Sequence, residues 1–226
     1  MTKKLAIFDL DGTLLDTLGD LASACNYVLQ HNGYPTHPLD SYRYRVGGGI
    51  NKLIERALPD AVRSARYAAE LRPEFIARYR EHLSDRTRPY PGIPELLERL
   101  ESEGILLAVA SNKYHEGTRK LVEHFFADRQ FLRVSGQRDG VPVKPDPAIV
   151  LEILEASGLD AQDAFFIGDS DVDMFTAANA HVESIGVEWG FRPRTELIAA
   201  GAGHIARTPE DILRLCTQIR NCPDIS

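Results

Sequence analysis

Asp9 and Asp11 stand two residues apart in Phe8-Asp9-Leu10-Asp11-Gly12-Thr13. The apolar run Leu5-Ala6-Ile7-Phe8 before them reads as a short buried strand. A side-chain period of two sets both acids on one side, where the Gly12-Thr13 turn breaks the strand. Two carboxylates this close resist ionising together unless a cation lies between them. With a metal present, such a pair offers one carboxylate as nucleophile and the other as proton shuttle. An Asp-Gly turn by itself also ends many strands with no chemistry attached, so the weight falls on what later strands bring.

Three later strand ends carry polar chemistry. The strand Ile105 to Ala110 ends in Ser111-Asn112-Lys113, where a hydroxyl and the amides of a turn can bind a phosphoryl oxygen, or simply cap a helix. Lys144 lies in Val143-Lys144-Pro145-Asp146-Pro147. Held in a stiff segment, its ammonium suits a phosphate and an aspartate nucleophile together; the plainer alternative is a solvated surface lysine. The third end is Phe165-Phe166-Ile167-Gly168-Asp169-Ser170-Asp171-Val172-Asp173, an apolar strand running into three acids. These repel one another unless they serve a cation. An oxygen-only donor set with no His or Cys beside it favours Mg²⁺ over zinc.

The elements that must position these groups fall into two regions. From 17 to 88 the periodicity is helical: Leu18 to Leu29 with Thr17 as N-cap and Gly33 past the end, a second stripe from Ile50 to Leu58, then further helices from Val62 to Leu83 interrupted near Pro73. No strand is expected in that block. After Pro89-Tyr90-Pro91-Gly92 helices and strands alternate, with strands at 105–110, 131–134, 164–167 and 182–187, a helix through Leu96, Leu97 and Leu100 closed by Gly104, and helices over 116–126, 148–156 and 171–180. A last helix opens at Thr208-Pro209-Glu210. Alternation of this kind predicts an α/β fold, a doubly wound parallel sheet. The core is expected over 1–16 and 89–226, and an inserted α-helical domain over 17–88 that covers the acidic turn. In such a sheet the strand ends converge on one crevice.

Composition bounds the partners. The chain has 226 residues and a net charge of −7, with no basic stretch to offset it, which speaks against nucleic-acid and anionic-membrane partners. Cys25, Cys216 and Cys222 form no C-x-x-C pair and read as reduced thiols. The seven histidines fall in no metal-ligand spacing. With no signal-like or membrane-length apolar run, a cytoplasmic location is expected, as a monomer or homodimer.

Asp-x-Asp-Gly-Thr, Ser111, Lys144 and Gly168-Asp169-Ser170-x-x-Asp173, in that order and over nearly the whole length, resemble the haloacid dehalogenase superfamily and its phosphatases. The resemblance implies a Rossmann-type core with a helical cap and Mg²⁺ as cofactor. It implies Asp9 as the nucleophile that becomes an aspartyl-phosphate, and Asp11 as the acid that protonates the leaving oxygen and then activates water. Ser111 and the Asn112 amide would hold the phosphoryl group, with Thr13 among the substrate-binding candidates, and Lys144 would orient Asp9. Asp9, the Asp11 carbonyl and Asp169 would bind Mg²⁺, Asp173 assisting directly or through water, whereas Asp171 suits the start of the next helix. An acid at position 11 favours phosphoryl transfer over dehalogenation, since a halide needs no proton. Asp16-Thr17, Tyr42 to Gly49, Arg56-Ala57-Leu58 and Gly186 to Arg192 further resemble phosphoglycolate phosphatases. That implies a small phosphomonoester, 2-phosphoglycolate first, with a cap cation for its carboxylate: Arg45, then Arg43, Lys52 and Arg56. The glycines 47–49 read as a break between cap helices that lets the cap approach the phosphate, and Trp189 as packing at the crevice edge. A pyrophosphatase, a broad small-metabolite phosphatase and a phosphosugar mutase are the rivals on this fold. A receiver-type signalling module has similar groups but carries its acceptor Asp mid-chain and has no insertion.

Overall fold

The computed structural model describes residues 3–217, so Cys222 lies outside the described residues. Six strands form one parallel sheet: β1 (Leu5–Phe8), β4 (Leu106–Tyr114), β5 (Phe131–Gln137), β6 (Ala164–Gly168), β7 (Glu183–Val187) and β8 (His204–Ala206). Their order across the sheet is β5-β4-β1-β6-β7-β8. The first strand therefore lies at the centre, its Phe8 level with Val109 of β4 and Ile167 of β6. The Asp9 turn leaves the sheet between the carboxyl ends of those two neighbours, at the switch point of a doubly wound sheet.

Alternation along the strands builds two cores. Ala6, Phe8, Val109, Phe165 and Ile167 face one side with the helices α4 (Ile93–Ser102) and α9 (Pro209–Thr217). Leu5, Ile7, Ala108, Ala110 and Phe166 face the other with α6 (Ala148–Ser157) and α7 (Asp171–Asn179). The remaining core helices are α5 (His115–Phe125) and the short α8 (Arg194–Ala199).

The insertion comprises α1 (Leu18–His31), a 3₁₀ turn Leu39–Tyr44, α2 (Gly49–Ala57) and α3 (Ala65–Glu81). Several expectations change here. The helix α3 runs through Pro73 without interruption. Proline inside a helix costs about 3 kcal/mol; burial of Leu71, Phe75 and Tyr79 on one face of α3 offsets it. Thr17 occupies the N-cap position of α1, but its buried hydroxyl has no partner, and Asp16 Oδ1 accepts from the Leu18 N–H instead. The boundary residue Arg88, expected to be strand-free, lies in β3 (Arg88–Pro89), which pairs antiparallel with β2 (Leu15–Asp16). These two short strands tie the entry and exit of the insertion together. The strand β4 does not end at Ala110 but continues to Tyr114, with its pairing to β5 shifted between Ala110 and Tyr114. Edge strand β8 was not foreseen, being only three residues long.

Among the described residues no helix is long and apolar enough to cross a membrane.

Candidate active site

Asp9 follows β1 directly, its N–H bonded to Ile167 O of the neighbouring strand at 2.9 Å. Its side chain is buried, and Oδ1 lies 3.0 Å from Lys144 Nζ at ion-pair distance, without the alignment of a hydrogen bond. That oxygen keeps its lone pairs free in a low-dielectric site. Burial, with the Asp173 and Asp11 charges adding to it, pushes the Asp9 pKa up to about 7 against the opposing pull of Lys144.

Lys144 Nζ donates to Asp173 Oδ1 at 2.7 Å and to Ala110 O at 2.9 Å, and is paired by charge with Asp9 Oδ1 at 3.0 Å. Burial alone would lower its pKa, but Asp173 and then Asp9 outweigh that and raise it. The solvated-lysine alternative is thus set aside: this residue is 3% exposed. Asn112 fixes the segment, accepting from Lys144 N–H at 2.8 Å and donating to Lys144 O at 3.0 Å.

Asp169 ends β6, and Asp173 enters α7 one turn later. Asp173 closes a capping box, its Oδ2 accepting from the Ser170 N–H and hydroxyl at 3.1 and 2.7 Å. Both its oxygens are therefore engaged, one on Lys144 and one on Ser170. The helix start falls to Ser170 and Asp173, with Asp171 in the first turn, where the helix dipole favours it. Asp169 approaches the Asp9 turn because two neighbours lack side chains. A Cβ on Gly12, which has φ +88°, would lie 2.3 Å from Asp169 Oδ2, and one on Gly190 would lie 2.2 Å from Asp169 Cβ. The Phe191 N–H donates to Asp169 Oδ2 at 2.6 Å.

Asp9, Asp169 and Asp173 each offer a carboxylate oxygen within 4.8 Å of the others, all buried. Burial and then the Asp173 and Asp9 charges hold Asp169 well above the usual carboxylate range. One lysine charge against three buried acids leaves the site short of positive charge. An unpartnered Asp9 oxygen and an all-oxygen donor set fit a hard divalent cation such as Mg²⁺.

Asp11 sits beside a cation the sequence reading named but gave no role. Lys113 Nζ lies 3.0 and 3.2 Å from the two Asp11 oxygens and donates to Tyr79 Oη of α3 at 2.7 Å. The irregular stretch of β4 presents Ser111 and Lys113 to the same small cavity as Asp9 and Asp11, as local breaks in pairing do when they re-aim side chains. That cavity measures about 30 Å³, room for about two waters. Its other wall comes from the cap: Leu21, Val46, Ile50, Leu53 and the Gly47–Gly49 turn. The turn approaches closely, since Gly47 O accepts from Asn112 Nδ2 at 3.0 Å and a Cβ on Gly49 (φ +81°) would press on Asn112 O.

Two candidate contacts sit elsewhere. Thr13 is buried outside the cavity lining, its carbonyl accepting from Trp189 Nε1 at 3.0 Å. Arg45 does not reach the cavity: it donates to Ser41 O at 2.5 Å and Arg56 O at 3.3 Å, with its guanidinium over the Tyr42 ring. Arg56 caps Tyr44 O and Arg45 O, Lys52 pairs with Glu55, and Arg43 reaches Gly190 O. Arg192, which the sequence motif contained without a role, joins cap to core. It donates to Arg43 O and Val46 O, pairs with Glu196, and stacks over the Tyr44 ring.

Comparison with known proteins gives a consistent picture. The family model for haloacid dehalogenase-like hydrolases matches residues 6–187. A phosphoglycolate phosphatase of Agrobacterium fabrum is 38% identical over 199 residues, covering 85% of this chain and 84% of its own. One from Mesorhizobium japonicum is 35% identical over 196 residues, with 86% of each chain covered. Among solved structures, a crystal structure from Lactobacillus delbrueckii subsp. bulgaricus superposes with a TM-score of 0.85 at 31% identity, over 96% of this chain and 99% of that one. Its provisional assignment is phosphoglycolate phosphatase.

Proposed function

Because the chain belongs to the haloacid dehalogenase-like hydrolases and is a phosphatase, we propose that it hydrolyses small phosphomonoesters through an aspartyl-phosphate on Asp9, with 2-phosphoglycolate as its substrate. The observation that carries the reading is the pairing at one cavity of a buried carboxylate with an unpartnered oxygen, Asp9, and a second carboxylate, Asp11, held by its own lysine. The substrate rests on relatives named phosphoglycolate phosphatase.

In the first step an Asp9 oxygen attacks phosphorus, the bond from phosphorus to the ester oxygen breaks, and Asp11 gives its proton to the departing alkoxide. Lys113 steadies the carboxylate that Asp11 then carries. In the second step water attacks phosphorus, Asp11 takes the proton from that water, and the phosphorus–Asp9 bond breaks to release phosphate. Ser111, whose Oγ accepts only weakly from Lys113 N–H at 3.3 Å, turns its own proton to a phosphoryl oxygen. Lys144 keeps Asp9 in place and offsets its charge. Asp9, the Asp11 carbonyl and Asp169 would hold Mg²⁺, with Asp173 acting through Lys144 and Ser170. Such a cation supplies positive charge against the phosphoryl oxygens and lets the clustered acids ionise together.

Phosphate release in the presence of Mg²⁺ tests this directly, with 2-phosphoglycolate, pyrophosphate, a hexose phosphate and an aryl phosphate compared by kcat/KM. A clear preference for 2-phosphoglycolate is expected, and Asp9→Asn is expected to abolish turnover of every member. Wild-type turnover by Asp9→Asn would overturn the mechanism. A flat profile would overturn the substrate alone.

A further inference from the structure

Among the described residues no cap cation lines the cavity. Arg45 and Arg56 are held on backbone carbonyls, and the cap's lining is apolar at Leu21, Val46, Ile50 and Leu53. In the core, Lys144 is not among the residues that line the cavity. Beside Asp11 stands the bonded pair Lys113 and Tyr79. Lys113 is 4% exposed and Tyr79 is fully buried, and both border the cavity beside Asp11. Lys113 donates to the Tyr79 oxygen, so that oxygen acts as acceptor and the phenol proton is left without an acceptor among the described residues. A buried donor with no acceptor is costly. Burial first, and then the Asp11 charge, raises the Tyr79 pKa well above the ordinary phenol value, so the group stays a donor.

Resting on the substrate reading above, we propose that Tyr79 and Lys113, not a cap arginine, form the specificity site for the leaving group, and that they recognise a carboxylate one carbon away from the ester oxygen. The geometry follows from Asp11. As the acid that protonates the ester oxygen, Asp11 must touch it. Lys113 Nζ lies 3.0 Å from Asp11, so a carboxylate on the carbon attached to that oxygen falls beside the ammonium and the phenol proton. An ordinary alkyl phosphate such as monoethyl phosphate presents only an apolar C–H group at that position and leaves the phenol proton unpaired. A single contact to a charged group is worth about 1.5–3 kcal/mol, or about ten- to a hundredfold in discrimination.

The test compares 2-phosphoglycolate with monoethyl phosphate, which has the same two-carbon length and no carboxylate. Both leaving groups are alkoxides that need a proton, so the ratio of their kcat/KM values isolates the carboxylate contact from the Asp11 proton transfer. The ratio is also independent of how much of a variant is folded. Tyr79→Phe is expected to cut the wild-type ratio about tenfold, through KM for 2-phosphoglycolate, and Lys113→Gln to cut it further. A wild-type preference that survives both substitutions would overturn the assignment while leaving the substrate reading intact. A wild-type ratio near one would overturn both.

Discussion

Two lysines at neighbouring strand ends have divided the acids between them. Lys144 serves Asp9 and Asp173, and Lys113 serves Asp11. In the proposed mechanism this division separates nucleophile from proton shuttle although the two carboxylates are only two residues apart. It follows that Asp11→Asn should depend on the leaving group. Turnover of 2-phosphoglycolate is expected to fall by about 10²–10⁴-fold, the usual worth of a positioned acid, and that of p-nitrophenyl phosphate by much less, since nitrophenolate leaves without a proton. Equal losses on both substrates would show Asp11 acting some other way. The acids also couple stability to pH and metal. Asp9 is raised from 3.8 to about 7 on folding and Asp169 is raised as well. The folded chain therefore holds these protons longer than the unfolded one, and without a cation this contribution is present at low pH and lost as pH rises through about 7. A divalent cation opposes that loss. The rise in Tm on replacing EDTA with Mg²⁺ is thus expected to be larger at pH 8 than at pH 5, and a rise that is equal or larger at pH 5 would contradict it. Asp9, Asp11, Lys144 and Asp169 were legible because each sits where an apolar run stops and charge begins. Lys113 was not. Beside Ser111 and Asn112 it reads as a turn lysine, and only its contacts with Asp11 and with Tyr79, 34 residues away, give it a role.

At the scale of elements, periodicity carried the helices and buried strands, and their ends were where it failed. Strand β4 extends past Ala110 because Asn112 and Lys113 are held by tertiary partners that no local pattern records. Helix α3 outlasts Pro73 because its buried face is packed on α1 and α2. The short β2–β3 ribbon has two residues per strand, below any periodic signal. Yet it marks the junction on which the cap hangs. Asp20, buried in the first turn of α1, accepts from the N–H groups of Arg86 and Thr87 and from the Thr87 hydroxyl, at 2.8–3.0 Å. This carboxylate fastens the returning chain to the first cap helix. Asp20→Ala leaves those donors buried without an acceptor and is expected to cost about 3 kcal/mol, with a matching fall in the urea midpoint. Asp20→Asn, which keeps one acceptor oxygen, should lose less. Equal losses in the two variants would mean that packing, not the hydrogen bonds, holds the junction.

For the molecule as a whole, the contacts between cap and core define a closed state. Arg192 reaches from the core to Arg43 O and Val46 O, Asn112 to Gly47 O, Lys113 to Tyr79, and Glu116 to Arg80 at 2.5 Å. Closed in this way the cavity has room for about two waters, whereas 2-phosphoglycolate has nine non-hydrogen atoms. With 2-phosphoglycolate as the proposed substrate, entry requires separation of the cap, and closure would then place Tyr79 and the glycine turn against it while excluding bulk water. The net charge of −7 gives the open molecule no general attraction for an anion, so capture depends on the lysines that opening exposes. Holding the cap shut should then block turnover with every catalytic residue in place. The Arg80–Glu116 pair spans cap and core at the surface, with both side chains about half exposed. Cys25 and Cys216 are buried and would not compete for a thiol reagent, and Cys222 is replaced by serine in the same variant. Joining the thiols of an R80C/E116C variant with a short bismaleimide is expected to suppress 2-phosphoglycolate hydrolysis at least about tenfold, since a gating motion that precedes chemistry limits every turnover. The same variant alkylated on both thiols by a monofunctional maleimide should keep its activity. Full activity in the cross-linked protein would show that substrate reaches Asp9 without movement of the cap.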